Sequence, residues 1–473
     1  MGLVKRAGKT ILLAASAILI GCRASLPDVP GAASRLTGIK SAIHFDGPVD
    51  DGETAPAAGQ TLEPGRAIRL TLQHDARIAA ALAKVRVAEA EANQSRLLPN
   101  PILTLDYRFA TKSAENSVFE PAIAADLLSL LQKPAQIAAA DHRLRGSAAA
   151  ALVTVLDVMA EVQEAYVSAC SADAEIENAE RRRQRIQRLR DIGQQRLNAG
   201  EGTRLDLLTL DSQLMQATLA VSDLRLVRTE QRLKLARLIG FPRDSAEWRL
   251  APVPPPTEGQ TAAESAWIDA AIAHRPEIQV HRWELRALGA DLSAAAFAAL
   301  QGSDVGVHGE RDPSWRVGPT LTTPLPLFDF GQAARAKVRA LRAVALNELV
   351  QQQREIIQDV RLAHASYRHA RETLQQYDQQ LLPLQVNQTD QARLAYQAGE
   401  ADLAILLLAE NELELTRSKI LELQEKVLIA RIKLQRAAGG AAIADRLESA
   451  GAAQSRPATS PAPMTAPATG PTQ

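Results

Sequence analysis

Arg196-Leu197-Asn198-Ala199-Gly200-Glu201-Gly202-Thr203-Arg204-Leu205-Asp206-Leu207-Leu208 is the stretch on which the fold turns. It recurs, altered, as Ala395-Tyr396-Gln397-Ala398-Gly399-Glu400-Ala401-Asp402-Leu403-Ala404-Ile405-Leu406-Leu407. Each copy joins two long helical patterns through a glycine, and Gly200 and Gly399 lie 199 positions apart. Glycine enters the left-handed backbone region that a tight turn needs without steric cost. A helical hairpin repeated at this size implies an oligomeric helical tube.

Before the first glycine, Val155, Met159, Val162, Tyr166 and Ala169 share one face of a helix expected from about Gln136 to Asn198. Sixty-odd residues at 1.5 Å each reach roughly 90–95 Å. After it, Leu207, Leu210, Leu214, Ala217, Val221 and Leu224 step by three and four, a coiled-coil seam. In the second half a longer seam runs from Leu346 and Leu349 through Ile356, Val360 and Tyr367 to Leu384. Pro383 predicts a kink or a stacked join near its end. After Gly399 come Leu406, Ala409, Leu413, Thr416, Ile420 and Leu423, the first seam moved by 199 residues.

Further out, Ala76, Ala79 or Ala80, Ala83, Val87, Ala90 and Ser95 form a small-residue helix face, ended by Pro99-Asn100-Pro101. The period then changes to two. Leu103, Leu105, Tyr107 and Phe109 alternate with polar neighbours, and Phe119, Ile123, Ala125 and Leu127 repeat the pattern after the Lys112–Asn116 turn. Pro121 weakens the second strand. Strands of about 9–11 residues match what a tilted strand needs to cross a bilayer, although a soluble hairpin reads the same way. Residues 241–265 include Ala251-Pro252-Val253-Pro254-Pro255-Pro256, a stiff linker. His274-Arg275-Pro276-Glu277-Ile278 then restarts the plan 200 positions after His74-Asp75-Ala76-Arg77-Ile78. Val305, Val307, Trp315, Val317 and Leu321 mark a second strand pair turning at Asp312-Pro313-Ser314.

The whole chain has 473 residues, 3% aromatic, with a formal net charge of zero. A neutral chain offers no basic field for nucleic acid. Two cysteines, Cys22 and Cys170, indicate no disulfide framework. The N-terminus reads as a targeting segment: Lys5, Arg6 and Lys9 precede an apolar run from Ile11 to Ile20, too short to anchor in a bilayer. Leu19-Ile20-Gly21-Cys22 resembles the bacterial lipobox, which implies cleavage before Cys22 and lipid attachment there. The alternative is a plain secretory signal with an incidental cysteine. Arg23 follows in place of the aspartate that marks inner-membrane retention, which favours the outer membrane.

These readings divide the chain into a signal peptide (1–21), an extended arm (22–66), a first repeat (67–240), a Pro-rich linker (241–265), a second repeat (266–440) and a disordered Ala/Pro/Thr-rich tail (441–473). The fold class is mainly α with a small β part, a duplicated helix-strand-strand-helix-helix unit. Four spanning strands cannot close a membrane barrel, since such barrels start at eight and lipid tolerates no open edge. Several chains must share one.

The glycine-marked hairpins, Leu98-Pro99-Asn100-Pro101, Pro324-Leu325-Pro326-Leu327-Phe328, Tyr396-Gln397-Ala398-Gly399-Glu400 and the lipobox together resemble the TolC-type outer membrane efflux proteins over about residues 66–440. The resemblance implies a homotrimer with a twelve-stranded β-barrel in outer-membrane lipid and a long α-helical barrel across the periplasm of a Gram-negative bacterium. It implies a passive conduit docked to a periplasmic adaptor and an inner-membrane pump, without catalytic centre or cofactor. Gly200 and Gly399 match adaptor-docking tips, with Glu201, Gly202, Thr203, Arg204 and Glu400 flanking them. Asp206 and Tyr396 match gate positions. Asp206 also reads as a helix-start carboxylate and Tyr396 as interhelical packing. Ile405 and Leu408 stand where the best-known member is acidic, implying a more apolar gate. Cargo stays open among metals, drugs and secreted proteins, with Leu98–Pro101 leaning toward heavy-metal efflux. The competing class is a non-channel periplasmic lipoprotein, a scaffold or adaptor with coiled-coil hairpins. The eight histidines show no metal-ligand spacing, and no nucleophile elbow or phosphate loop is present.

Overall fold

In the computed structural model the described residues are 23–39, 43, 45, 56–110, 117–244, 246–253, 262–312 and 314–454. The targeting segment with Cys22, the Lys112–Asn116 turn, Pro313, the Pro254–Pro256 run and the tail beyond 454 lie outside them.

Eleven α-helices, numbered here in chain order, and six strands are described. The first half holds α1 (Val29–Thr37), β1 (Thr61–Leu62), α2 (Pro64–His74), α3 (Ala76–Arg96), β2 (Ile102–Arg108), β3 (Val118–Asp126), α4 (Leu127–Ala199) and α5 (Arg204–Leu238). The second holds β4 (Arg249–Leu250), α6 (Glu264–His274), α7 (Pro276–Ala295), β5 (Asp304–Asp312), β6 (Ser314–Thr322), α8 (Gln332–Gln376), a π turn (Tyr377–Leu381), α9 (Leu382–Ala398), α10 (Leu403–Ala437) and α11 (Ala441–Gln454).

Two apolar cores, one per repeat, hold the body. The first gathers Val29, Leu70, Ile78, Tyr166, Leu235 and Trp248 from α1 to the segment after α5. The second gathers Trp267, Ile278, Ile356, Val360, Val427 and Ala444 from α6 to α11. The Tyr166 hydroxyl donates toward the Leu62 and Ala251 carbonyls, at 2.7 and 2.8 Å, and so pins the parallel pair β1–β4. Burial raises its pKa.

Several sequence expectations are corrected. The extended arm contains α1, started by Asp28 accepting from Gly31 N–H at 2.8 Å and stopped by Gly38 at φ 75°. The linker after 241 is tied down: Trp248 is buried, its Nε1–H donates to Pro56 O at 3.0 Å, and Arg249 and Leu250 pair with Thr61 and Leu62. The tail starts as helix, because Ala444 buries in the second core with Leu447 packed against it, and Glu448 pairs with Arg431 at 2.8 Å. The first long helix begins at Leu127, not Gln136. Asp126 caps it, accepting from Leu128 N–H at 2.8 Å and Ser129 N–H at 3.1 Å, and Pro134 is absorbed inside it. In α3 the buried face is Ile78, Leu82, Val85 and Ala92, so the small-residue stripe is not the one that packs in the chain.

The π turn supplies the break signalled by Pro383 and explains a further miss. It inserts one residue, so the buried set beyond it moves on by one, to Thr389, Ala392 and Tyr396. Leu384, expected in the seam, is therefore exposed.

Candidate functional site

Each hairpin tip is a helix stopped by a left-handed glycine. At the first, Gly200 has φ 78°, Glu201 N–H donates to Arg196 O at 2.9 Å and Gly200 N–H to Leu197 O at 3.1 Å. At the second, Gly399 has φ 77°, Glu400 N–H donates to Ala395 O at 2.9 Å and Gly399 N–H to Tyr396 O at 3.2 Å. Both are Schellman ends, which satisfy the last carbonyls of the helix. A Cβ at either glycine would meet nothing within 4 Å, so the backbone there is open to an approaching surface. Glu201, Thr203, Arg204 and Glu400 are exposed around it, and Gly202 is half-buried against Arg196 and Leu197.

The two tips restart helix differently. Thr203 and Asp206 form a capping box: Asp206 N–H donates to Thr203 Oγ1 at 3.1 Å, and Thr203 N–H donates to the Asp206 carboxylate at 3.2 Å. Asp402 begins α10 without a side-chain cap bond, and Ile405 stands where Asp206 does. Ile405 and Leu408 are exposed along α10.

Behind the tips the hairpins are clamped together. Leu189, Leu210, Ala392, Tyr396, Leu403 and Leu406 form a third apolar cluster. Gly193 lets α5 come close, since a Cβ there would lie 2.9 Å from Leu210 Cδ1. Tyr396 is buried in this cluster, with the Arg196 guanidinium 4.8 Å from its ring and Arg196 Nη1–H donating to its carbonyl at 3.2 Å. Around the cluster lie Arg190–Asp211 at 3.0 Å and Arg393–Glu410 at 2.6 Å. Glu414, buried, accepts from Asn178 Nδ2–H at 2.6 Å and pairs with Arg185. Burial and the neighbouring Arg185 lower the Arg417 pKa beside this set. Sequence reading missed the clamp. Its signal was Glu410 and Glu414, four apart on one helix face, but nothing in the chain's order says which helix they meet.

At the opposite end, β2-β3-β5-β6 form one antiparallel sheet whose edges, β2 and β6, have no strand partner among the described residues. Its register places Leu103, Ile123, Val307 and Pro319 in one row, and Tyr107, Phe119, Arg311 and Trp315 in another row of the same face. Leu103 and Trp315 are 59% and 56% exposed. Thr104, Glu120, His308, Glu310 and Arg316 belong to the alternate, polar face. Apolar side chains on the outside of a sheet that carries polar ones on its other face suit lipid outside and water inside. Tyr107, Phe119 and Trp315 form an aromatic chain with 6.3 Å ring spacings near the hairpin turns, where an interfacial girdle would sit. Pro121 stays in β3; its missing N–H coincides with a gap in the β3–β5 ladder between Phe119 and Ala122. Further along, Gly306 lies opposite Ala124, where a Cβ would lie 2.2 Å from Ile123 O.

Cys170 is a half-buried thiol, 3.8 Å from Ala251 O and pushed up to about 12 by burial, with Asp173 adding to the shift. It is a packing residue, not a nucleophile. No group of three or more His, Cys, Asp or Glu able to hold a metal occurs among the described residues.

A family model described as outer membrane efflux protein matches residues 67–241 and 267–440. The chain is 27% identical over 226 residues to the alkaline protease secretion protein AprF of Pseudomonas aeruginosa, covering 44% of each. It is 25% identical over 346 residues to the protein CyaE of Bordetella pertussis, covering 67% of this chain and 72% of that one. The solved outer-membrane channel OprN superposes with a TM-score of 0.66 at 19% identity, over 89% of this chain and 97% of that one, which establishes a shared fold.

Proposed function

The chain belongs to the outer membrane efflux protein family, and on that premise we propose how it serves as the outer-membrane channel of a tripartite export system. Three copies join their sheets edge to edge into one twelve-stranded barrel, and their hairpins continue it as a helical tube into the periplasm. The open edges β2 and β6 carry this reading. An unpaired strand edge is not tolerated in lipid, so each edge needs another chain. A soluble adaptor or scaffold has no use for a sheet with an exposed apolar face.

Cys22 carries lipid in the mature protein. The tips, Gly200–Arg204 and Gly399–Glu400, receive a periplasmic adaptor, which in turn meets an inner-membrane pump. Asp206, Ile405 and Leu408 line the periplasmic mouth, and Tyr396 packs the throat above it. One relative is named for secretion of a protease, so a polypeptide cargo is favoured over the metal lean of Leu98–Pro101.

Conductance tests the central reading. Purified protein in planar bilayers gives stepwise, trimer-sized conductances, and a monomeric, non-conducting product would sink it. Labelled palmitate enters the wild-type protein and not Cys22→Ser.

A further inference from the structure

The helical body sets four helices side by side in the order α5, α4, α10, α8–α9. The inner two are covered on both sides, and α5 and α8–α9 are its edges. Two three-and-four stripes run along α5. Leu210, Ala217 and Val221 are buried against the rest of the chain. Next to them Leu205, Leu208, Met215, Leu219, Leu226 and Leu233 stand exposed, and the positions between, Ser212, Ser222 and Thr229, are uncharged. An uncharged heptad stripe along a helix is a seam waiting for a partner, not a solvated face.

The duplication says what covers it. Moved by the 199-residue offset of the tips, the stripe lands on the face of α10 that packs on α4 inside the chain. Ser212 falls on Asn411, Met215 on Glu414 and Leu226 on Glu425. All three counterparts bond to α4: Asn411 accepts from Arg182 at 3.3 Å, Glu414 accepts from Asn178 at 2.6 Å and pairs with Arg185, and Glu425 accepts from Ser168 at 2.6 Å. The same offset carries Arg185 to Leu384 on α9. Leu384 is 67% exposed and Met215 62%. Where the contact inside the chain joins Arg185 to Glu414, its counterpart between chains joins two apolar residues, both still uncovered.

We propose that the exposed stripe of α5 docks on α8–α9 of a second copy of this chain, with Met215 against Leu384 of that copy. The inference rests on the multi-chain channel above and adds which faces meet and with what chemistry. The seam between chains is then apolar where its counterpart inside the chain, α4 on α10, is ion-paired and hydrogen-bonded.

Cysteine pairs and a charge exchange test it. In a Cys170→Ser background, oxidising detergent-purified Met215→Cys/Leu384→Cys protein gives a reductant-sensitive covalent trimer, and either single cysteine gives none. Met215→Glu alone buries an unpaired charge and lowers the trimer fraction about tenfold or more in native mass spectrometry. Adding Leu384→Arg, which copies the Arg185–Glu414 pair across the boundary, restores it. A trimer that tolerates Met215→Glu unchanged and yields no 215–384 cross-link overturns the docking assignment and leaves the channel reading intact. A wild-type protein that is monomeric in the same measurement overturns the reading beneath it.

Discussion

The two repeats place an ion cluster at the same point, the joint between the short helices α2–α3 in one and α6–α7 in the other, with the signs exchanged. In the first, Arg77 pairs with Asp75 at 2.8 Å and with Glu161 at 2.6 Å. In the second, Glu277 pairs with Arg436 at 2.7 Å and with Arg275 at 3.3 Å, and Arg436 also holds Asp157 at 2.6 Å. The central Arg77 side chain is 50% exposed, whereas those of Glu277 and Arg436 are each 14% exposed. The duplication thus preserved the position of a contact and not its charge or its burial. Burial decides what each cluster is worth, because solvent screens an exposed pair to near nothing while removing one partner of a buried pair strands the other.

The sharpest way to break this comparison is to remove both centres. Glu277→Ala is expected to cost about 3 kcal/mol, because Arg275 and Arg436 lose their shared buried partner and keep only the exposed carboxylates of Asp359 and Asp157. Arg77→Ala should cost less, about 1–2 kcal/mol, because Arg77 is half exposed and Asp75, though buried, keeps its bond from the backbone N–H of residue 77. Urea titration of the helical circular dichroism of each variant checks this, and equal losses would show that burial does not separate the clusters. The pH dependence adds a sign. Burial pushes the Glu277 carboxyl up, but Arg436 and Arg275 pull harder, and it settles below its ordinary 4.5. The unfolded carboxyl therefore takes up its proton first. The cluster's contribution is complete above about 4.5 and is lost as pH falls through the lower, folded value. Glu277→Gln should lack that part of the acid-side loss.

Next in size is the clamp between hairpins. Arg185→Ala removes a charged hydrogen bond from buried Glu414 and should cost about 2–3 kcal/mol. Arg225→Ala, which breaks the exposed Arg225–Glu180 pair at 3.1 Å on the edge helix, should cost within about 1 kcal/mol.

Much of this was legible in the chain. The duplicated hairpins, their seams and the strand pairs are local patterns, and local periodicity survives into structure because one face of each element must be buried. The exchange of signs was also written out, in His74-Asp75-Ala76-Arg77-Ile78 against His274-Arg275-Pro276-Glu277-Ile278. The partners were not, since Asp157 and Arg436 are 279 positions apart and meet only through packing. Pro383 announced a break, yet the one-residue shift after it depends on whether the chain kinks or bulges, which composition does not decide. For the same reason Leu384 was placed in a seam that Thr389, Ala392 and Tyr396 occupy. Helices α1 and α11 escaped notice because each is short and gains its order from the core it lies on.

At the tips the repeats agree in backbone and differ in capping, and the differences expected between them are small. Gly200→Ala and Gly399→Ala force a side chain into the left-handed region and should each cost about 1–2 kcal/mol, equally, since neither site is crowded. Thr203 and Asp402 should then part company. Thr203→Ala loses the acceptor for Asp206 N–H and with it the reciprocal half of the box, a loss of about 1 kcal/mol. Asp402 makes no side-chain cap bond, so Asp402→Ala gives up only a macrodipole contribution of about 0.3–1 kcal/mol, at the low end for an exposed group. Hydrogen exchange at the first turns of α5 and α10 reads the two directly. Faster exchange after Thr203→Ala with little change after Asp402→Ala means the second tip is held by Leu403 and Leu406 packing inward, not by its own end. Equal acceleration at both would mean that Asp402 caps α10 in solution and that the tips are chemically alike after all.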